Sequence, residues 1–396
     1  MFLHSGSVQN LILYEAVLLS DLSLKLLKNK NMIKRDFIFL ISNAALNPCD
    51  REEINGKYTL DNTNYLNNSN FNKRDSSTTM KNFFSYSTLQ EKIARFLHKP
   101  IINTNKLSED EKKDLYYVIR DRNYGVYSFE EQEKLRNARI GILGQGCVGE
   151  LAASIAARIG FGYIRIIDGD KLEITNLNRN AHSKFSQIGK SKVSSMIEFL
   201  NDASPGTSFE GINEMITSQN SQRLLENLDI VIVGVDNMCS RIIAHRATRT
   251  MKIPTISMSG GPPYRAYVSV LFPTDVEYEE LFNLPTRGES LDLAEENLKK
   301  IHHDIRKARV KFSMKNGAIS SWGDEYLSGN RTVWPITPNR VYLTSTLSVH
   351  EAVNFVLDKP ILARAPKIIH IDLNSPPNIV SIKTPPNESL WNYEVW

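Results

Sequence analysis

Apolar residues recur at helical spacing over residues 8–28, where Leu11, Leu13, Tyr14, Val17, Leu18, Leu22 and Leu26 mark one helix. The block Phe37-Ile38-Phe39-Leu40-Ile41 suits either a helix or a buried strand. Residues 61–82 are rich in Asn, Ser and Thr and offer few side chains to nucleate a core, which predicts a linker or a long loop. Residues 83–137 are mostly helical in pattern and charged, and the run beginning Asp121-Arg122-Asn123-Tyr124 leads into a second part of different character. From 139 onward short apolar runs alternate with helical patterns. Strands are expected at 140–143, 164–167, 229–235 and 254–257, and helices at 150–159, 191–200 and 240–250. Residues 266–272 begin a change of sheet. Residues 274–338 are long, charged and less regular, and 341–357 form a buried helix. No internal repeat is visible.

This alternation predicts an α/β fold, a Rossmann-like domain with a mostly parallel sheet covered by helices on both faces. The expected division is a small N-terminal α+β domain at 1–105, containing the Asn-rich loop at 61–82. A main domain at 106–396 follows, with a crossover region at 274–338. At 396 residues the chain has room for two or three domains and a sizeable core.

Composition removes several function classes. The formal charge is +4, from 48 basic and 44 acidic residues, too balanced for a nucleic-acid binder. The three cysteines, Cys49, Cys147 and Cys239, are far apart and form no CxxC pair, so no thiolate zinc site is expected. The low count points to a reducing compartment. Glu15 and Asp21 interrupt the first apolar stretch, which argues against a signal peptide. No uncharged apolar run approaches the ~20 residues of a membrane span. A cytoplasmic protein without membrane contact is expected.

The candidate chemistry starts at Gly144-Gln145-Gly146-Cys147-Val148-Gly149, between the first strand and its helix. Glycines there let backbone N–H groups approach a phosphate at a helix N-terminus, where the helix dipole favours an anion. Asp168, at the end of the second strand, suits a ribose hydroxyl. Both features also fit a nicotinamide cofactor. The downstream order differs: Asp168-Gly169-Asp170, then Asn176-Leu177-Asn178-Arg179, Gly189-x-x-Lys192, and a strand ending in Val235-Asp236-Asn237 with Arg241 one turn on. Taken singly, Lys192 also reads as an exposed lysine, Asp236 as the N-cap of the next helix, and Arg241 as a surface or interface side chain.

Together these motifs resemble the ThiF, MoeB and HesA group of ubiquitin-activating-like adenylating enzymes, over roughly residues 120–272 and more weakly through 341–357. The resemblance implies ATP and Mg²⁺ as cofactors and formation of an acyl-adenylate from a carboxylate. Gly144, Gly146 and Gly149 would cradle phosphate, and Asp168 would hold the ribose. Asn176, Arg179 and Lys192 would grip the triphosphate, with Asp170 and Asn237 counted in the same site. Asp236 would hold Mg²⁺. Arg179, Lys192 and Asp236 are the implied catalytic residues. The resemblance further implies a homodimer, with Arg120 or Arg122 reaching into the partner's site.

Two departures narrow the branch. The paired zinc cysteines of many relatives are absent, and so is the acceptor cysteine of the crossover region. Cys147 and Cys239 read as small buried thiols. A long N-terminal part precedes the core. This layout resembles the peptide-modifying branch, which includes the microcin-maturing enzyme MccB and the pantocin-maturing enzyme PaaA. That resemblance implies a winged-helix-like clamp for a ribosomal precursor peptide, and attack on the activated carboxylate from within the peptide, as in antibiotic biosynthesis. Activation of the C-terminus of a ubiquitin-like or sulfur-carrier protein is the alternative, followed by a non-catalytic scaffold and a nicotinamide oxidoreductase. Gly260-Gly261-Pro262-Pro263-Tyr264-Arg265 is expected to wall the reacting carboxylate. His302-His303 lies in a charged helical stretch and reads as solvent-exposed rather than metal-binding. Trp322 and Trp334 read as packing residues or as the lining of a substrate groove.

Overall fold

The structure is a computed structural model that describes Lys92, Phe96 and residues 107–384, apart from Pro285 and Asn378. The chain divides into Met1–Ser77 and Thr78–Trp396, and every described residue belongs to the second unit. The expected helix at 8–28, the block at 37–41, the loop at 61–82 and the winged-helix-like domain lie outside the described residues.

Two capped helices lead into the sheet. In α1 (Glu109–Ile119), Ser108 Oγ accepts from Glu111 N at 3.2 Å, and Glu111 Oε2 accepts from Ser108 N at 3.1 Å. In α2 (Phe129–Asn137), Ser128 and Glu131 form the same reciprocal pair. Each box satisfies two N–H groups that would otherwise lack partners, so both helices start where a Ser-x-x-Glu spacing places them.

β1 (Arg139–Leu143), α3 (Cys147–Ile159) and β2 (Tyr163–Ile167) follow. A short 3₁₀ turn spans Ile174–Asn178, and then come α4 (Lys192–Ala203), β3 (Ser208–Ile212), α5 (Ser221–Leu225), β4 (Ile230–Val233), α6 (Met238–Thr250) and β5 (Thr255–Gly261). β4 is buried at every position, as a central parallel strand covered on both faces must be. β6 (Arg265–Leu271) pairs antiparallel with β5, Gly261 facing Arg265. Only residues 262–264 separate these strands, too few for the crossover a parallel pair requires. The chain continues through α7 (Tyr278–Leu281), α8 (Leu291–Lys315), α9 (Ser320–Leu327) and α10 (Pro338–Val356), and closes with β7 (Ile368–Asp372) and β8 (Val380–Lys383).

The eight-stranded order is β3-β2-β1-β4-β5-β6-β7-β8, parallel from β3 to β5 and antiparallel beyond. The mostly parallel, Rossmann-like expectation holds. A core of Ile140, Ile142, Ile164, Ile166, Ile230 and Ile232, all 0 % exposed, joins the strands to α3, α4 and α10. α10 lies along α3, and Ser345 Oγ donates to Val148 O at 3.0 Å. No described helix is long and apolar enough to cross a membrane.

One expectation is corrected. Residues 274–338 are largely regular, because α8 alone runs for 25 residues. Its inward face mixes the apolar Ala308, Val310 and Phe312 with Arg306 and Arg309, which hides the helical period. The strands β3, β7 and β8 had no counterpart among the expected elements.

Candidate functional site

β1 leads through α3 to β2 on one side, while β4 leads through α6 to β5 on the other. The carboxyl ends of β1 and β4 therefore diverge, and open α/β sheets bind ligands in that crevice. A cavity of about 290 Å³ opens there, lined by Gly144, Gly146, Asp168, Arg179, Lys192 and Asp236 among others. The structure thus brings together residues that the sequence spreads from 144 to 236.

The glycine loop owes its shape to close approach. Gly144 has φ +93°, and a Cβ on Gly149 would lie 1.7 Å from Gly144 O. Gly146 is the N-cap of α3 and supplies no side-chain acceptor, so the first N–H groups of the helix have no side-chain cap. An uncapped helix start on a cavity suits phosphate.

Asp168 is pinned at both oxygens: Oδ2 accepts from Gln145 N at 2.6 Å and Oδ1 from Asp170 N at 2.7 Å. Burial pushes its carboxyl above the usual range, against the pull of Lys192 and of these two N–H groups. Lys192 Nζ lies 2.7 Å from Asp170 Oδ2. Asn176 is buried and accepts from Glu173 N at 3.2 Å through Oδ1, which fixes the 3₁₀ turn. Arg179 Nη1 donates to Thr175 O at 2.6 Å and to Asn178 Oδ1 at 2.8 Å.

Glu150 was not singled out from the sequence, yet it secures this loop. It is 4 % exposed and accepts from Asn180 Nδ2 at 2.6 Å, from Ser183 Oγ at 3.1 Å and from His182 N. The available signal was a carboxylate on an otherwise Ala- and Ile-rich helix, since buried charge must be bonded.

Asp236 and Asn237 divide the roles that the sequence left open. Asn237 Oδ1 accepts from Ser240 N at 3.2 Å and caps α6. Asp236 does not cap: its side chain is 93 % exposed, with Arg306 Nη2 at 3.7 Å. Arg241 is no surface residue. It is buried and donates to Met258 O at 2.9 Å and Val235 O at 2.5 Å, bracing the ends of β4 and β5.

The opposite wall comes from the crossover. Arg309 Nη2 donates to Gly260 O at 2.9 Å, and Arg340 Nη1 to Arg265 O at 3.0 Å, so Gly260 and Arg265 belong to that wall. Trp334 lines the cavity, with the Arg309 and Arg306 guanidinium carbons 5.4 and 5.8 Å from its ring centre. Trp322 packs edge-on against it at 5.7 Å. One tryptophan is groove lining and the other is support. His302 also lines the cavity, half-buried, while His303 is exposed, which corrects the expectation of solvent exposure for the pair. Burial, with Arg306 beside it, lowers the His302 pKa from its usual value. Among the described residues no cluster of three His, Cys, Asp or Glu side chains is placed to hold a metal by itself.

Cys147 is buried at the start of α3. Burial pushes its thiol up, against the nearby Arg179 and Arg340. Arg120 is also committed internally. It is 3 % exposed and donates to Tyr116 O at 2.9 Å, Ser204 Oγ at 2.6 Å and Thr207 Oγ1 at 3.0 Å. Arg122 is exposed.

The ThiF family profile matches residues 120–389. Over 197 residues the chain is 31% identical to the adenylyltransferase and sulfurtransferase MOCS3 of Anopheles gambiae, covering 46% of this chain and 43% of that protein. Over 205 residues it is 29% identical to the tRNA threonylcarbamoyladenosine dehydratase of Bacillus subtilis (strain 168), covering 52% and 74%. The match therefore spans less than half the length of the mosquito relative. The backbone is also similar to the crystal structure of E. coli MccB with AMPCPP and MccA, at a TM-score of 0.50 and 20% identity over 77% of each chain, which is a likeness of fold. With a family match running through more than half of its residues, the chain belongs to the ThiF family.

Proposed function

We propose that the chain is an ATP-dependent adenylating enzyme. A substrate carboxylate oxygen attacks the α-phosphorus of ATP, the bond to the β-phosphate oxygen breaks, and acyl-adenylate and pyrophosphate form. The observation that carries this reading is one cavity holding an uncapped helix N-terminus, a pinned carboxylate, the cations Arg179 and Lys192 among others, and an exposed carboxylate. Asp168 receives a ribose hydroxyl in this reading. Arg179 and Lys192 offset charge that builds on the departing pyrophosphate, where preorganised cations lower a barrier.

The residues fit Mg²⁺. Asp236 is a hard oxygen donor left largely exposed on the cavity wall, and Mg²⁺ is commonly held by one or two carboxylates together with substrate phosphates. When bound, the ion would supply Lewis-acid stabilisation of phosphate charge. The remaining work falls to side chains: Lys192 is aligned by Asp170, Arg179 by Asn178 and Thr175, and Asn176 holds the turn between them.

The substrate in this reading is a ribosomally made precursor peptide, bound in part by residues 1–105 and attacked from within after activation. A neighbouring group on a held peptide has a high effective concentration and needs no enzyme thiol. One observation supports that: MccB has been crystallised with MccA and AMPCPP on a similar fold. Arg122 takes the cross-subunit role in a homodimer, since Arg120 is committed internally. A second reading, activation of a small carrier protein's C-terminus, is favoured by the sequence relatives, whose names include a sulfurtransferase activity.

Pyrophosphate release from ATP and Mg²⁺ separates the two readings. Release driven by short peptides, with dehydration of the peptide seen by mass, supports the first. Release driven only by a Gly-Gly-ended small protein supports the second, and release with neither overturns adenylation.

A further inference from the structure

The cavity has a second cationic wall that the nucleotide roles leave unused. Arg340, at the start of α10, is 3 % exposed, and among the described residues it has no carboxylate partner. Its Nη1 donates to Arg265 O at 3.0 Å, while its Nε is buried without any hydrogen-bond partner. Burying a guanidinium without a counter-ion is costly, and an orphaned buried donor adds to that cost. Burial pushes this group down to about 10, with the Cys147 thiol opposing and Arg309 adding like-charge repulsion. Arg309 lies beside it on α8, tied to Gly260 O at 2.9 Å and Ser259 Oγ at 3.3 Å. The strand beneath accommodates both: a Cβ on Gly260 would fall 2.3 Å from Arg340 Nη1. Trp334 closes the side of the subsite, with the Arg309 guanidinium carbon 5.4 Å from its ring centre.

We infer that Arg340 and Arg309 form a carboxylate subsite that docks the acidic group of the substrate against the nucleotide. The inference rests on the adenylation reading for its purpose. A carboxylate must approach a highly anionic triphosphate, and in a cavity of low dielectric that approach is strongly repulsive. Two guanidinium groups, Arg340 near the Cys147 thiol and Arg309 beside it, offset the repulsion, and their planar donors suit carboxylate oxygens. The phosphate roles fall to Arg179 and Lys192, while Arg309 is anchored on β5. The docked group is either a chain terminus or an acidic side chain, and both present the same carboxylate.

Tryptophan fluorescence of the full chain tests this at constant ionic strength, with the Trp334 signal assigned by the W334F variant. The probes are N-acetylglycine for a terminus, N-acetylglutamate α-amide for a side chain, and neutral N-acetylglycinamide. A saturable change with one or both acids and none with the amide is expected, and the tighter acid identifies the source. In R340Q the acid affinity should fall at least about tenfold while AMP affinity stays within about twofold. If AMP affinity falls equally, the arginines serve phosphate and the inference is overturned. If R340Q binds the acids like the natural chain, it is overturned as well. Should R340Q fail to melt cooperatively, R340K and R309Q replace it, and unchanged acid binding in both rejects the subsite. Arginine-dependent acid binding without ATP–pyrophosphate exchange would support the subsite and reject only the adenylation reading.

Discussion

The two halves of the sheet build opposite walls of one cavity by different means. In the parallel half, site residues follow the strands directly: Gly144 after β1, Asp168 after β2, Asp236 three residues after β4. Each strand is locked into the core by contiguous apolar side chains, so its carboxyl end is a fixed point. In the antiparallel half the wall is made from α8, Trp334 and the start of α10, whose groups come from positions 302–340 and meet only through packing. The nucleotide end is thus built of backbone geometry, while the opposite wall is built of long side chains.

The sharpest break of this contrast is at the cradle. Gly149→Val would place side-chain atoms where Gly144 O already stands, 1.7 Å from the added Cβ. Binding of a non-hydrolysable ATP analogue should be lost and the melting temperature should fall, by the equivalent of about 3 kcal/mol or more. Retained analogue binding in calorimetry would show that the cradle tolerates rearrangement.

Asp236→Ala comes next. Its side chain is 93 % exposed, so stability should be unchanged, while Mg²⁺-dependent pyrophosphate release falls by about a hundredfold or more. Unchanged release would mean that the metal is held elsewhere.

The other wall has its own anchor. Arg246 on α6 donates to both Glu279 oxygens, at 2.6 and 2.7 Å, and to Thr286 O at 2.9 Å, which ties α6 to α7 and the start of the crossover. Glu279 is 6 % exposed at its side chain, so Arg246→Ala leaves a buried carboxylate with Thr286 Oγ1 as its remaining donor and should cost about 2–3 kcal/mol in denaturant titrations. A loss below that range would mean that the crossover is held chiefly by its apolar cluster.

The smallest effect is a pH dependence on β7. Burial raises the Asp372 carboxyl, but the Asn374 N–H and the Arg265 guanidinium outweigh it and hold the group below its usual value. A depressed folded-state pKa contributes stability above the ordinary carboxylate pKa of about 3.9, lost as pH falls through the folded value. The melting difference between the natural chain and Asp372→Asn should therefore shrink as pH drops below about 4. A constant difference would show that the Arg265 contact carries no charge linkage.

Much of the parallel half was legible in the sequence. The strand runs 140–143 and 164–167, the glycine loop and Lys192 fall where period and turn chemistry place them. Asp236 and Asn237 were legible as a pair but not as individuals, since either can cap a helix and only the backbone geometry selects Asn237. Arg120 is enclosed by four hydrogen-bond acceptors, three of them remote in the chain, which no local pattern records. Glu150 and Arg340 carried no motif, since each acts on atoms remote in the chain.

The sequence by itself determined where the chain turns and caps, because those choices depend on a few consecutive residues: Gly144 at positive φ, the two Ser-x-x-Glu boxes, and the three-residue link between β5 and β6. Only the tertiary structure decided that Arg309 and Arg340 meet over Gly260 beside Trp334. That meeting follows from α10 packing against the β5–β6 pair and α8 packing against α6, and no local pattern records which face of a helix will find which element.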